Sequence, residues 1–170
     1  TIAKRKIMTQ NSEKYIGLIA GNGKLPPLVA KKASNEGYKI IAVCFDKRNC
    51  PEIMLNSHKA KYLGPGEVSK ISKYLHENNI KELFFIGKVS KELMLRNPKL
   101  DGRAIKALKR IKRLNDDAIM LAAVEELQSE GIKVLDQTIF IRDFFAKPGL
   151  IAGKPIPEQR MADVSYGMEI

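Results

Sequence analysis

YIGLIAGNGKLP, Tyr15 to Pro26, is the stretch on which the fold turns. Tyr15 to Ala20 is apolar over a strand's length, with no polar residue at alternate positions, as a strand buried on both faces requires. Gly21-Asn22-Gly23 then supplies two residues without a Cβ, so the backbone can turn tightly and come close to a ligand. A helix starts directly after it, and the N–H groups at such a start are free to hold an anion. Strand, glycine loop and helix in that order open a Rossmann-like α/β domain.

The same grammar runs outward from that opening. PPLVAKKASNEG (26–37) reads as a helix, KIIAVCF (39–45) as a second strand and AKYL (60–63) as a shorter third. GEVSKISKYLHENN (66–79) repeats Val68, Ile71 and Leu75 on one helical face, and ELFFIG (82–87) is a fourth strand. Residues 101–114 and 116–130 are consecutive helices, ended by Gly131; KVLD (133–136) is a fifth strand and TIFIRDFF (138–145) a short helix. The expected architecture is a parallel sheet of about five strands with helices on both faces.

Residues 1–14 are polar, basic and tag-like, with Met8 the more natural start; residues 15–146 form the Rossmann-like domain; 147–160, with three prolines and two glycines, form a linker. Residues 161–170 read as the beginning of a second, truncated domain.

At 170 residues and 44% hydrophobic content the chain can bury one good core. Its 30 Lys and Arg against 19 Asp and Glu leave a net charge of +11, which suits an anionic partner: nucleic acid, nucleotide phosphate or an acidic membrane face. Cys44 and Cys50 form no CxxC pair, and His58 and His76 have no acidic or thiol partner at a recognisable spacing, so no structural zinc site and no role for either histidine is assigned. Apolar runs such as LFFI (83–86) are too short to span a bilayer, and no leader pattern is present, which reads as a cytoplasmic protein.

Several residues carry candidate chemistry. Gly21, Asn22 and Gly23 suit a phosphate, but Pro26 stands where GxGxxG has its third glycine, so the dinucleotide fingerprint is incomplete. Asp46 is either the ribose-binding acid of a nicotinamide site or a turn residue at a strand end. Gly87-Lys88-Val89 leaves the fourth strand at the edge where open α/β sheets bind ligands, so Lys88 either meets a phosphate or is solvated. The helix holding Arg103, Lys106, Lys109, Arg110, Lys112 and Arg113 has a stripe of Ala104, Leu108 and Ile111; it suits anionic lipid, a nucleic-acid backbone or an ordinary solvated face. Asp116 and Asp117 open the next helix, where one caps it and the other is available to a ligand hydroxyl or, through water, to Mg²⁺.

Taken in order, IAGNGKLP (19–26), GKV (87–89), the acidic pair at 116 and the PGL…ADVSYG run (148–167) resemble the LpxI-type UDP-2,3-diacylglucosamine diphosphatases of lipid A synthesis. The resemblance implies a two-domain, Mg²⁺-dependent hydrolase, peripheral to the inner membrane, that cleaves the pyrophosphate of this lipid-linked sugar nucleotide to UMP and 2,3-diacylglucosamine 1-phosphate (lipid X). It assigns Gly21, Asn22, Gly23, Leu25, Pro26, Gly87, Lys88, Val89, Asp116 and Asp117 to substrate binding, with Asn115 where the family usually has glycine. It places the catalytic aspartate in a second domain with a Gly-Thr-Asp context that this chain lacks, so the chain is expected to bind and not turn over. The competing readings are a nicotinamide-binding domain using Gly21, Gly23 and Asp46, and a basic module for RNA or membrane; no specific nucleic acid is expected, and an exposed face would allow a homo-oligomer.

Overall fold

The computed structural model describes residues 14–89, 99–113, 115–147 and 149–169; residues 1–13, Pro148 and Ile170, on which parts of the expected N-terminal segment, linker and second domain fall, lie outside the described residues. In chain order come β1 (Lys14–Ala20), α1 (Leu25–Asn35), β2 (Tyr38–Cys44), α2 (Cys50–Leu55), β3 (Lys59–Tyr62), α3 (Val68–Glu77), β4 (Glu82–Ile86), α4 (Gly102–Lys109), α5 (Asp116–Ser129) and β5 (Lys133–Val134). The strands make one parallel sheet in the order β3-β2-β1-β4-β5. The expected five-stranded Rossmann-like α/β fold is therefore what the chain adopts.

The apolar strands explain the layering. Ile19, Ile41, Val43 and Leu83 pack with Ile71 and Leu75 of α3 and Leu127 of α5 into one core cluster. The alternate residues Leu18, Ile40, Ala42 and Phe84 are fully buried too, and so are Val29, Ala30 and Ala33 of α1. A right-handed parallel crossover puts α1 on one face, and reversal of strand order after β3 puts α3 and α5 on the other. Gly17, in the middle of β1, faces Leu83 of β4 in register.

Two elements differ from the reading of the sequence at their ends. The basic helix stops at Lys109, so Arg110 to Arg113 lie in a turn and bend. No helix spans 138–145: residues 137–141 form turns, followed by a 3₁₀ turn at Arg142–Phe144. The Thr138 N–H donates to Asp136 Oδ1 at 2.8 Å, a local turn that competes with helix, and Phe140 is drawn into the core against Tyr38 and Phe84, at ring separations of 5.3 and 5.1 Å. The short α2 is an element that the sequence pattern does not signal.

Compactness divides the chain between Phe140 and Ile141. The second unit carries a helix, α6 (Met161–Met168), with no buried residue. Its Leu150, Ile151, Tyr166 and Met168 are exposed. Among the described residues no helix is long and apolar enough to cross a membrane.

One aspartate starts two helices. Asp101 accepts from the Arg103 and Ala104 N–H groups of α4 at 3.1 and 3.0 Å and from the Ser69 N–H of α3 at 2.6 Å. Burial pushes its carboxyl up, but these donors outweigh it and hold it below the usual aspartate range. A carboxyl with a lowered folded-state pKa contributes stability that is full above its unfolded value, about 3.9, and is lost as pH falls through the folded value. Asp101→Ala is expected to cost about 2 kcal/mol at neutral pH, the upper end for one cap, and to flatten the acid limb of stability. Urea midpoints measured from neutral pH downward check both effects; an unchanged acid limb would refute the assignment.

Candidate functional site

The loops that leave β1 and β4 at their carboxyl ends are stitched together. The Gly21 N–H donates to the Ile86 carbonyl at 2.9 Å, and Asn22 and Lys88 exchange N–H···O bonds of 2.8 Å in both directions as an antiparallel bridge. A Cβ on Gly21 would lie 2.7 Å from the Lys88 carbonyl oxygen, and one on Gly87 would lie 2.7 Å from Pro26 Cγ and 2.8 Å from the Asn22 oxygen. Gly87 also holds φ +91°, in the left-handed region. Two of the motif glycines and Pro26 thus exist to let two backbones meet. Gly23 differs: it has φ +115° with open space about it, and its carbonyl accepts from Asn49 Nδ2 at 2.6 Å.

This seam occupies the point where the strand order reverses, between β1 and β4. An open α/β sheet would bind its dinucleotide in the crevice there. Here the crevice is bridged by backbone. The start of α1 is also poor in donors, because Pro26 and Pro27 fall in its first turn and carry no N–H, leaving Leu25 as the donor among those first residues. Asp46 turns to its own neighbour: it accepts from the Arg48 N–H at 2.9 Å and from the Arg48 guanidinium at 2.8 Å. The Arg48 side chain first of all, against burial, holds its carboxyl below the usual range. The strand-end turn is the role this geometry gives it.

Beside the seam, under α3, α4 and α5, lies an apolar cavity of about 90 Å³. Ile19 and Phe85 from the ends of the central strands, Val68 of α3, and Ile119 and Ala123 of α5 line it, with Val89 and Asp116. IAGNGKLP through Ile19, GKV through Val89 and the acidic pair through Asp116 therefore all reach one cavity, and the first two are also bonded to each other. Of the other candidates, Lys88 is exposed, Leu25 is 41% exposed at the start of α1, and Asp117 is exposed and does not line the cavity. The cap of α5 is Asn115, whose Oδ1 accepts from the Ala118 N–H at 2.8 Å, so neither aspartate is needed for capping.

Sequence reasoning missed the cavity's apolar lining. The available signal was that α5 carries apolar residues on more than one face, leaving some to look into space the sheet does not fill. It also missed a partner for His76. His76 lies at the surface as expected, but its Nε2 is 2.7 Å from Glu130 Oε2. Glu130 also accepts from the Ser72 hydroxyl and the Arg103 guanidinium, and Arg103 binds Glu126 at 2.8 Å. This network ties α3, α4 and α5 into one roof.

Magnesium would need about six oxygen ligands, of which a protein commonly supplies one or two carboxylates beside substrate phosphates. Among the described residues no three His, Cys, Asp or Glu side chains converge. Asp116 and Asp117, divided between cavity and solvent, do not form a protein-only site. Nor is Cys44 a nucleophile, since burial first, and then the Cys50 thiol beside it, pushes its own thiol up.

Several solved structures bear a partial likeness to the chain. UDP-glucose 4-epimerase from Thermotoga maritima, solved with UDP-glucose, is 14% identical at a TM-score of 0.43, with 68% of this chain and 35% of that one covered. UDP-glucose 4-epimerase from Bifidobacterium longum, solved with NAD⁺ and UDP, is 12% identical at 0.44, with 69% and 35% covered. An L-threonine dehydrogenase from Cupriavidus necator is 11% identical at 0.44, again with 69% and 35% covered. The chain thus spans about a third of the length of these proteins. No curated protein sequence matches it. The model of the LpxI N-terminal domain matches residues 15–144, from the first core strand to the turn beyond β5. The chain belongs to the LpxI N-terminal domain family.

Proposed function

We propose that residues 15–144 are the substrate-binding half of a hydrolase that cleaves the pyrophosphate of UDP-2,3-diacylglucosamine to UMP and lipid X. The observation that carries this reading is the apolar cavity at the carboxyl edge of the sheet, with Val89 and Asp116 in its wall and the exposed Lys88 next to Val89. A ligand that joins hydrocarbon to an anionic diphosphate needs apolar volume and positive charge side by side, whereas a dinucleotide needs the crevice that the Asn22–Lys88 bridge closes. On the family resemblance, attack on phosphorus falls to a second domain. The magnesium that the resemblance implies would be held there with the substrate's phosphates.

Titration calorimetry with UDP-2,3-diacylglucosamine, the unacylated UDP-amino sugar and NAD⁺ tests the reading. The acylated ligand is expected to bind at least about tenfold more tightly than the unacylated one, since burying two methylenes at about 0.8 kcal/mol each already exceeds a tenfold difference. Ala123→Phe, which fills the cavity, is expected to remove that preference while the chain stays folded. Equal affinity for both sugars, or tighter binding of NAD⁺, would reject the reading.

A further inference from the structure

The roof of the cavity has an outer side. Between α4 and α5 lies an open groove of about 440 Å³, with a floor of Ala107, Ala118 and Ala122 and a rim of Arg110, Lys112 and Arg113. Leu121, 62% exposed, also lines it. Lys106 and Lys109 are exposed on α4, Arg110, Lys112 and Arg113 are exposed in the turn and bend that follow it, and Ile105, next to Lys106, is 42% exposed. Glu125 is the one acid among the groove's lining residues. Arg103, by contrast, is turned away into the Glu126–Glu130 network and does not add to this charge.

We propose that this face of α4 and α5 docks on an anionic lipid bilayer. Five cations in eight residues give the charge complementarity, and Ile105 and Leu121 give apolar side chains able to enter the interface between headgroups and acyl chains. A single-stranded nucleic acid would be met by aromatic stacking surfaces, and no aromatic residue occurs from 99 to 139. The proposal stands apart from the reaction proposed above: failure to bind the sugar-nucleotide lipid leaves it intact.

The test is flotation of the full chain with phosphatidylglycerol vesicles, phosphatidylcholine vesicles and an unrelated RNA over a salt series. Binding to phosphatidylglycerol alone, weakening with salt, is expected. Lys106→Gln/Arg110→Gln/Arg113→Gln is expected to reduce it at least tenfold, and Leu121→Ser severalfold. The charge-matched control Lys31→Gln/Lys73→Gln/Lys81→Gln, elsewhere on the surface, is expected to bind as the parent does. Amide hydrogen exchange on the unaltered chain gives a readout without substitutions: vesicles should protect residues 105–121. The proposal is overturned by absence of vesicle binding, by an equal loss in the control, by protection confined to other segments, or by tighter binding to RNA than to vesicles through the same residues.

Discussion

Gly87→Ala should lower the unfolding free energy by about 3 kcal/mol, combining the strain of a left-handed backbone with the overpacking of a tight contact. Its new Cβ would stand 2.7 Å from Pro26 Cγ and 2.8 Å from the Asn22 oxygen, so relief requires the two loops to part. Gly23→Ala is the matched comparison. It has φ +115° but open space, so torsional strain alone should cost it about half as much. Urea denaturation of both variants, with unchanged slopes, measures the difference. If the two losses are equal, the seam between the loops contributes nothing and the glycines serve only the turn. Gly87→Ala should also weaken ligand binding, because Lys88 and Val89 follow the displaced residue.

Gly17→Val acts on the same seam from within the sheet. Its Cβ would lie 2.7 Å from Leu83 Cβ and 2.9 Å from Ile80 Cγ2, both residues being essentially inaccessible to solvent. β1 would have to move away from β4, at an expected cost of about 3 kcal/mol. Leu83→Ala should not rescue it, since alanine keeps the offending Cβ and adds its own cavity. A double variant more stable than Gly17→Val alone would show that the clash lies elsewhere.

The sequence disclosed the fold because its strands are apolar throughout and its helices repeat at helical spacing: Val68, Ile71 and Leu75 fall on one face by their spacing alone. It disclosed less where short-range chemistry decides. The helix expected over 138–145 gives way to a side-chain turn at Asp136 and to the pull of Phe140 into the core, neither of which hydrophobic spacing records. The six-residue α2 is too short to show a period. At the site, the motifs were visible but their reason was not. Gly21 and Gly87 looked like ligand-contacting glycines, and their tight neighbours lie more than 60 positions away in sequence. Glu130 was invisible as a hub for the same reason, its partners Ser72 and His76 being 58 and 54 residues distant.

The two prolines in the first turn of α1 bear on discrimination. A helix start with a full set of N–H groups reads the number and angle of phosphate oxygens; one that has given up two donors would, on the function proposed above, hold an anion mainly through exposed lysines such as Lys24 and Lys88, whose attraction salt screens. Such contacts tell one phosphorylated compound from another poorly. On that proposed function, choice among ligands would fall to hydrocarbon fit in the neighbouring cavity, where each methylene changes affinity by a modest and graded amount. Chain-length preference in such a domain would slope gradually across homologous ligands instead of breaking at a single length.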